Sequence, residues 1–389
     1  MKRILSLLLT LLMLLSLAAC GGDAAQDDPP APPAQEQDDP TPEPDPEPQL
    51  TPEEQTVAAL LGAMTVEEKV GQLFFVRCPE SGAAADAASY HLGGILLFGR
   101  DFKDKTKDEV TANIAAYQAA ADLSLFIGVD EEGGTVCRVS NQKQFRASRF
   151  TAPQKLYRSG GVEAVLVEDA ERNALLRSFG INVNFAPVAD VSENESDFIH
   201  DRSLGVDAAT TAEVVAAMVG QMKADGMGSV LKHFPGYGSN VDTHTGIAVD
   251  ERSLESFYQS DFLPFVSGIA AGSPFVLVSH NIMTAVDASL PASLSPAVHD
   301  ILRHELEFPG VILTDDLAMD AVEAYAEDGS AAVLAVLAGN DMLVTTDYRT
   351  QIPQVIEAVN SGSISQETLD AAVTRILQVK LQLGLITTD

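Results

Sequence analysis

The feature that most constrains the fold is an alternation of short apolar runs with longer amphipathic segments along most of the chain. Each run is a few residues long, which is typical of a strand buried on both faces. About eight runs are present, at residues 73–77, 94–98, 125–129, 183–188, 229–231, 275–279, 311–314 and 342–345. Strands joined by helical crossovers form a parallel sheet, and this number favours a closed barrel over an open sheet. The sequence therefore predicts an α/β fold, a (β/α)8 TIM-type barrel.

Helix-length amphipathic segments occupy most gaps between these runs. They are residues 109–121, 162–179, 208–224, 254–271, 296–306 and 330–338, and a last helix over 366–383 is expected to cover the outside. Thr65 and Glu68 have the spacing of a capping box, which predicts a short helix through Val70. The connection over residues 78–93 is short and poorly helical, so we expect irregular closure there.

The N-terminus has the pattern of a lipoprotein signal peptide over residues 1–20. Two basic residues precede an apolar run over 4–17, which is short for a membrane span, and the small residues Ala18 and Ala19 precede Cys20. This ending resembles a bacterial lipobox, which implies cleavage before Cys20 and lipid attachment to its sulfur. We expect an extracytoplasmic protein, lipid-anchored to the cell membrane.

Residues 21–50 predict a disordered linker, because prolines alternate with acidic residues over 42–48 and the segment contains no base. Residues 51–389 are then one catalytic barrel domain. Lys and Arg number 24 against 56 Asp and Glu, so the net charge of −32 excludes nucleic acid as a partner. The sequence leaves undecided whether Cys78 and Cys137 form a disulfide. No CxxC or HExxH motif supports a metal site, and no cofactor is expected.

Polar residues follow nearly every predicted strand, where barrel enzymes carry their chemistry. They are Arg77, Arg100, Asp130, Asp190, Lys232, His233, His280, Asp315, Asp316 and Asp347. Asp315 follows a buried strand directly, which is a rigid mount for a nucleophile, and Asp316 is expected to point elsewhere and cap the next helix.

Residues 229–246 hold the candidate proton donor. Lys232 and His233 lie where a strand ends, and a turn rich in Gly and Pro separates them from Asp242 and His244. An Asp two residues from a His can orient the imidazole for proton transfer, and the segment is expected to be mobile. With Asp315 as the nucleophile, this pair suits glycoside hydrolysis with retention.

Three further residues are candidates for holding a sugar. Asp130 can accept hydrogen bonds from hydroxyls, and Arg138 can pair with a carboxylate or a sugar oxygen. Arg202, beside Asp201 on the loop after the fourth strand, is a third candidate, and its alternative role is a surface salt bridge, which is frequent and contributes little.

Several stretches together resemble the single-domain β-N-acetylglucosaminidase branch of glycoside hydrolase family 3. They are MTVEEKVGQLFFV, GGILLF, VDEEGG, GINVNFAPVADV, DRSLG, KHFPG with the later DTH, LTDDLAM and AGNDMLV, within about residues 64–385. The resemblance implies a (β/α)8-type barrel, Asp315 as nucleophile, and Asp242 with His244 as acid/base. It also implies that Asp130, Arg138, Arg202, Lys232 and His233 hold the N-acetylglucosamine unit.

The chain departs from that branch beside these positions. Tyr237 stands where a His is common, Glu131 where Gln is usual and Thr135 where Arg is common, and His200 and Leu204 differ around Arg202. These departures bear on subsite preference more than on reaction type.

The expected function is retaining exo-hydrolysis of terminal β-linked N-acetylglucosamine from cell-wall fragments or related glycans, by a monomer. Another β-glycosidase of the same family is one alternative, and two further alternatives remain. Because a histidine acid/base carries no permanent negative charge, phosphate could replace water, which would make the enzyme a phosphorylase. A sugar-binding lipoprotein without activity is the other, but such proteins divide into two lobes, whereas strand-helix units here continue to the end.

Overall fold

A computed structural model describes residues 50–239, 248–319, 322, 325 and 330–388, and Leu50–Asp389 form one compact unit. Eight parallel strands form its central sheet. In chain order they are Phe74–Arg77, Gly94–Leu97, Phe126–Val129, Val183–Asn184, Gly228–Phe234, Phe275–Val278, Val311–Thr314 and Leu343–Thr345, called first to eighth below. Every predicted apolar run overlaps one of them.

The sheet closes on itself as a nearly complete barrel. Neighbouring strands pair in chain order from the first to the seventh, and the first also pairs with the eighth, with Phe74 opposite Leu343. The remaining gap is bridged where Leu313 pairs with Met342, and the Thr314 N–H donates to the Met342 carbonyl at 3.1 Å. The prediction of an eight-stranded α/β barrel is therefore confirmed.

Aromatic rings from several strands fill the barrel interior. Phe75 packs edge-on against Phe185 with ring centroids 5.3 Å apart, and Phe126 packs against Phe275 at 5.2 Å. Gly128 lies between two of these rings, because a Cβ there would come within 2.7 Å of Phe75 and 2.8 Å of Phe185. The barrel is thus a packed core whose open space is left at its rim.

Helices surround the barrel. They are Pro52–Ala63, Val66–Gln72, Ala83–Ser89, Gly99–Phe102, Lys107–Ala120, Pro153–Arg177, Ala208–Ala224, Leu254–Gln259, Phe262–Ala270, Pro296–Asp300, Ala331–Ala338, Tyr348–Asn360 and Gln366–Gln382, with a 3-10 turn at Ala292–Leu294 and a π turn at Ile301–Glu305. Short strand pairs, Glu131–Gly133 with Val136–Cys137 and Val249–Asp250 with Ile282–Met283, lie outside the barrel sheet. The predicted capping box is present, since Thr65 and Glu68 exchange bonds of 3.2 and 2.7 Å.

Two expectations about local structure were wrong. The first two strands pair regularly, with Phe75 opposite Gly94, because helix Ala83–Ser89 supplies the crossover between them. The helix predicted over 254–271 is broken at Ser260 and Asp261. Pro264 follows the break, and a proline has no N–H with which to continue the helical bonding pattern.

Cys78 and Cys137 are both free, so the disulfide left open by the sequence does not form between them. Both thiols are buried. Burial raises the pKa of Cys78 to about 12 and that of Cys137 to about 11, which keeps both side chains protonated at neutral pH.

Among the helices that the structure describes, none has both the length and the apolar character needed to cross a membrane.

Candidate active site

A cavity of about 620 Å³ opens where the barrel strands end, and we call it the catalytic cavity. Its lining includes every described side chain that the sequence predicted as nucleophile or sugar ligand, which are Asp130, Arg138, Arg202, Lys232, His233 and Asp315. These residues come from the third, fourth, fifth and seventh strands or the loops after them. The barrel topology therefore brings together residues that lie up to 185 positions apart in the sequence, as from Asp130 to Asp315.

Lys232 lies at the centre of the charged part of the cavity. Its side chain is almost completely buried, and its Nζ lies 2.8 Å from Asp130 Oδ1 and 2.6 Å from Glu132 Oε1. The second oxygen of Asp130 lies 3.9 Å from the Arg138 guanidinium. Lys232 therefore fixes Asp130 at the cavity wall, where its carboxylate can accept hydrogen bonds from sugar hydroxyls.

Glu132 is a partner that the sequence analysis did not identify. Arg202 donates to both of its oxygens, at 3.0 and 2.8 Å, so the pair is bidentate. Burial by itself would raise the pKa of Glu132, but the charges of Arg202 and Lys232 outweigh it and hold the pKa well below its usual range. Arg202 thus pairs with a buried carboxylate while its own side chain is partly buried at the cavity wall, so the surface salt bridge considered for it is not what the structure shows.

His233 is oriented by partners on both ring nitrogens. Its Nδ1 lies 2.7 Å from Asp190 Oδ2, and its Nε2 lies 3.1 Å from an Arg202 nitrogen. Because a guanidinium can only donate, Nε2 must accept and Nδ1 must carry the proton that is donated to Asp190. Asp190 also accepts from the backbone N–H groups of His233 and Tyr237, at 3.0 and 2.8 Å, and so fixes the chain where the fifth strand ends.

An aromatic ring with two guanidinium groups forms another part of the wall. The Phe98 ring centroid lies 4.2 Å from the Arg77 guanidinium carbon and 5.5 Å from that of Arg138. The Nε atoms of both arginines are buried and have no hydrogen-bond partner within the part of the chain that the structure describes. The two arginines therefore place positive charge beside the Phe98 ring at the cavity wall.

Asp315 directly follows the seventh strand, as predicted. Its backbone N–H donates to the Val278 carbonyl at 2.9 Å, and its Oδ1 accepts from the Asp316 N–H at 2.8 Å. Asp316 was expected to point away, but it also lines the cavity, and its carboxylate accepts from Ala318 N–H at 3.0 Å within a tight turn. Burial raises the pKa of Asp316, and the neighbouring Asp315 charge adds to this effect.

The predicted acid/base pair, Asp242 with His244, and the predicted lipidation site, Cys20, lie outside the described residues. The roles assigned to them stay predictions.

Other predicted rim residues do not line the catalytic cavity. His280 is buried, with its ring nitrogens 2.7 Å from Ser293 Oγ and 3.0 Å from the Asp316 carbonyl, which is a structural arrangement. Asp347 lies at the start of helix Tyr348–Asn360. Arg100 lines a neighbouring cavity.

Among the described residues, one group of three side chains has the geometry to hold a metal ion. Ligand atoms of Glu68, His91 and Asp122 lie within 4.8 Å of one another. These residues precede the first three strands, so they lie at the opposite end of the barrel from the catalytic cavity. A metal there would take no part in chemistry at Asp315.

Comparison with protein families gives a match to the model described as "Glycosyl hydrolase family 3 N terminal domain" over residues 65–379. A beta-hexosaminidase of Stenotrophomonas maltophilia is 34% identical over 296 residues, which cover 73% of this chain and 84% of the relative. Beta-hexosaminidase A of Pseudoalteromonas piscicida is 30% identical over 326 residues, covering 76% of this chain. The chain spans only 54% of that relative's length.

A solved structure of a glycoside hydrolase family 3 beta-N-acetylglucosaminidase from a Paenibacillus strain has the same architecture. It superposes with a TM-score of 0.77 at 31% sequence identity, covering 84% of this chain and 65% of that one.

Proposed function

Because the chain belongs to glycosyl hydrolase family 3 and is a glycoside hydrolase, we propose that it is a retaining exo-β-N-acetylglucosaminidase. Its substrates would be cell-wall fragments or related glycans with terminal β-linked N-acetylglucosamine. The observation that carries this proposal is that Asp315 shares one cavity with the five predicted sugar-binding side chains. The names of the hexosaminidase relatives support the same sugar class.

In the proposed mechanism, Asp315 attacks the anomeric carbon and forms a covalent glycosyl-enzyme, which water then hydrolyses. His244, supported by Asp242, gives its proton to the leaving oxygen in the first step and removes a proton from water in the second. Asp130 accepts from a sugar hydroxyl while Lys232 holds its carboxylate in place. The buried pair of Arg202 and Glu132 keeps this wall rigid.

Turnover of aryl β-N-acetylglucosaminides by wild type, Asp315→Ala and His244→Ala tests the proposal. We expect Asp315→Ala to lose at least about 10³-fold in kcat, because no covalent intermediate can form. Wild-type turnover by Asp315→Ala would refute the mechanism.

The loss in His244→Ala should depend on the leaving group. A nitrophenolate leaves without protonation, whereas an alkoxide needs a proton, so the variant should be impaired far more on an alkyl glycoside than on a nitrophenyl one. An equal loss on both substrates would remove His244 as the proton donor.

We also propose that the mature protein is a lipid-anchored, extracytoplasmic enzyme. The support is the signal pattern that ends at Cys20. Cell fractionation of wild type and Cys20→Ser is the direct test. Wild type should sediment with membranes and Cys20→Ser should not, and equal partitioning of both proteins would contradict lipid attachment at this residue.

A further inference from the structure

A small cavity at the end of the barrel opposite the catalytic cavity has three side chains with metal-binding atoms in its lining. They are Glu68, His91 and Asp122, and the volume of the cavity is about 50 Å³. One ligand atom from each of these residues lies within 4.8 Å of the other two. The proposed function uses none of the three, so their convergence needs a separate explanation.

Each of the three residues comes from a different element that precedes a barrel strand. Glu68 lies in helix Val66–Gln72, directly before the first strand. His91 and Asp122 lie in the loops before the second and third strands. Because these three strands are neighbours in the sheet, the segments that lead into them meet at one rim of the barrel. No local sequence pattern links the three residues, and the fold brings them to one cavity.

The spacing of His91 and Asp122 is that of two ligands on one ion. His91 Nδ1 lies 2.9 Å from Asp122 Oδ2. Two donor atoms that each bind an ion at about 2.1 Å are about 3.0–3.5 Å apart in octahedral or tetrahedral geometry. In this pair a proton shared between Nδ1 and Oδ2 occupies the place that an ion would take. An ion can therefore replace this proton with little movement of either side chain.

Glu68 supplies the third ligand atom while it also caps its own helix. Its Oε2 accepts from the Thr65 N–H at 2.7 Å, and the hydrogen bonds from Thr65 lower the pKa of the Glu68 carboxyl. A carboxylate can accept several bonds, so the cap leaves capacity for an ion. The described residues that line this cavity include no lysine or arginine. A divalent cation would therefore balance the charges of Glu68 and Asp122.

The backbone at His91 is held in place by buried groups of the barrel. Its φ is 51°, in the left-handed region, and its carbonyl accepts from Gln72 Nε2 at 2.7 Å. Gln72 accepts in turn from the buried Lys380 at 2.6 Å. The same carbonyl packs against Gly71, where a Cβ would come within 2.5 Å of its oxygen. The loop that carries the imidazole is thus fixed before an ion binds, which reduces the entropy lost on binding.

We propose that Glu68, His91 and Asp122 form a structural site for Zn²⁺ or a similar divalent transition-metal ion, with water completing the coordination. The imidazole nitrogen favours zinc over calcium and magnesium, which prefer oxygen ligands alone. The His91 side chain is 30% exposed and that of Asp122 is 69% exposed, so solvent gives the ion a path to the site. The bound ion would join helix Val66–Gln72 to two loops at the end of the barrel that serves stability rather than catalysis.

Calorimetric titration of the metal-free, untagged full chain with Zn²⁺, Mn²⁺ and Ca²⁺ tests the proposal. We expect Zn²⁺ to bind more tightly than Ca²⁺, and His91→Asn to weaken Zn²⁺ binding by at least about tenfold, since even losing an outer-shell partner has that effect. Asparagine tolerates a left-handed backbone, so this variant keeps the loop. Glu68→Gln should weaken Zn²⁺ binding similarly, and it keeps the capping box because glutamine also serves there.

His304→Asn is the matched control for the loss of a surface histidine. His304 Nε2 lies 3.8 Å from Asp300 Oδ1, and the two side chains are 75% and 74% exposed. Within the part of the chain that the structure describes, this pair belongs to no three-ligand group. Its Zn²⁺ affinity should stay within about twofold of wild type.

Thermal melting gives a second readout, because an ion that binds only the folded chain stabilises it. Zn²⁺ at about 100 times its Kd should raise the Tm of wild type and His304→Asn by about 2–5 °C. The Tm of His91→Asn should rise by less than about 1 °C at the same concentration.

Three results would overturn the proposal. They are the absence of Zn²⁺ binding by wild type, a Zn²⁺ affinity that neither His91→Asn nor Glu68→Gln changes, and Ca²⁺ binding as tight as Zn²⁺ binding that survives His91→Asn. The second result would place the ion elsewhere on the chain, and the third would reduce the site to its two carboxylates. None of them bears on the proposed function, which turnover of aryl β-N-acetylglucosaminides tests separately.

Discussion

Glu132 holds one buried and one partly buried cation at the wall of the catalytic cavity. Its carboxylate accepts a bidentate pair from Arg202 and lies 2.6 Å from Lys232. Replacement by glutamine would leave Arg202 without its carboxylate partner, and Lys232 would keep only Asp130, 2.8 Å away. The charge balance of the sugar-binding wall therefore depends on this side chain.

We predict that Glu132→Gln lowers the free energy of unfolding by about 3–5 kcal/mol, because breaking one side of a buried pair leaves an uncompensated charge. Urea denaturation at neutral pH measures it. The matched control is Glu171→Gln, which breaks the exposed Arg146 pair and should cost less than about 1 kcal/mol. Equal losses in the two variants would contradict the role given to Glu132.

The hydrogen bonds of Glu131 explain why a glutamate stands where glutamine is usual in the family pattern. Its Oε2 accepts from the N–H groups of Arg138 and Val139, at 2.8 and 2.7 Å, and its Oε1 accepts from the N–H and hydroxyl of Ser140. All of these partners donate, so a carboxylate suits the site and an amide nitrogen would face donors. The residue thus shapes the loop that carries Arg138.

At the residue scale, the sequence predicted which side chains meet in the cavity better than it predicted their partners. Asp130 and Asp315 were found because each directly follows a buried strand. Glu132 was missed, although residues two apart in an extended chain point to the same side, which is a signal that links it to Asp130. The pairing of Glu132 with Arg202 depends on how the third and fourth strands are placed in space. No local sequence pattern indicates that placement.

Helix Gln366–Gln382 packs against the barrel through a face that includes a buried lysine. Lys380 donates to Gln72 Oε1 at 2.6 Å, and its Nζ lies 5.3 Å from the Phe126 ring centroid. Burial lowers the pKa of Lys380 to about 7 from an ordinary 10.5. Between these two pH values the unfolded chain binds a proton that the folded chain does not.

The free energy of unfolding should therefore rise with pH from about 7 to about 10.5 through this group. We predict that Lys380→Met flattens this rise, so that the wild type gains roughly 2–4 kcal/mol relative to the variant across the window. Chemical denaturation of both proteins at several pH values gives the difference, in which other titrating groups cancel. A constant difference would show that Lys380 has the same pKa in both states.

The sequence predicted helix boundaries correctly where capping residues and hydrophobic periodicity agreed. It predicted them wrongly where a proline or a pair of glycines lies inside a helix. Ala208–Ala224 has the predicted bounds, with Asp207 capping its first turn. Tyr348–Asn360 was not predicted, and it contains Pro353, which usually ends a helix. The kinked helix Pro153–Arg177 was predicted only from residue 162, because Gly160 and Gly161 have non-helical dihedral angles and separate its two halves.

At the scale of the whole molecule, the barrel could be predicted because eight buried strands with helical crossovers have few other closed arrangements. The exact closure could not be predicted. It depends on the bridge from Leu313 to Met342, between strands that are joined through a long intervening segment.

Residues 1–49 should be dispensable for catalysis. Within the part of the chain that the structure describes, every residue of the hydrophobic core lies at or beyond Val57, and residues 21–49 have the composition of a solvated tether. We predict that a chain beginning at Leu50 retains kcat/KM on aryl β-N-acetylglucosaminides within about twofold of the full chain. Thermal melting of both proteins checks that the barrel is intact. A large loss of activity with an unchanged melting temperature would give the N-terminal segment a catalytic role.

Covalent trapping of the glycosyl-enzyme decides whether Asp315 is the nucleophile of a retaining glycosidase. A ring-fluorinated N-acetylglucosaminyl fluoride slows both steps, so that the glycosyl-enzyme accumulates. Intact-protein mass spectrometry should show the addition of one sugar, and peptide mapping should place it on Asp315. Attachment to Asp316, or turnover of aryl substrates with no trapped adduct on Asp315, would contradict the claim.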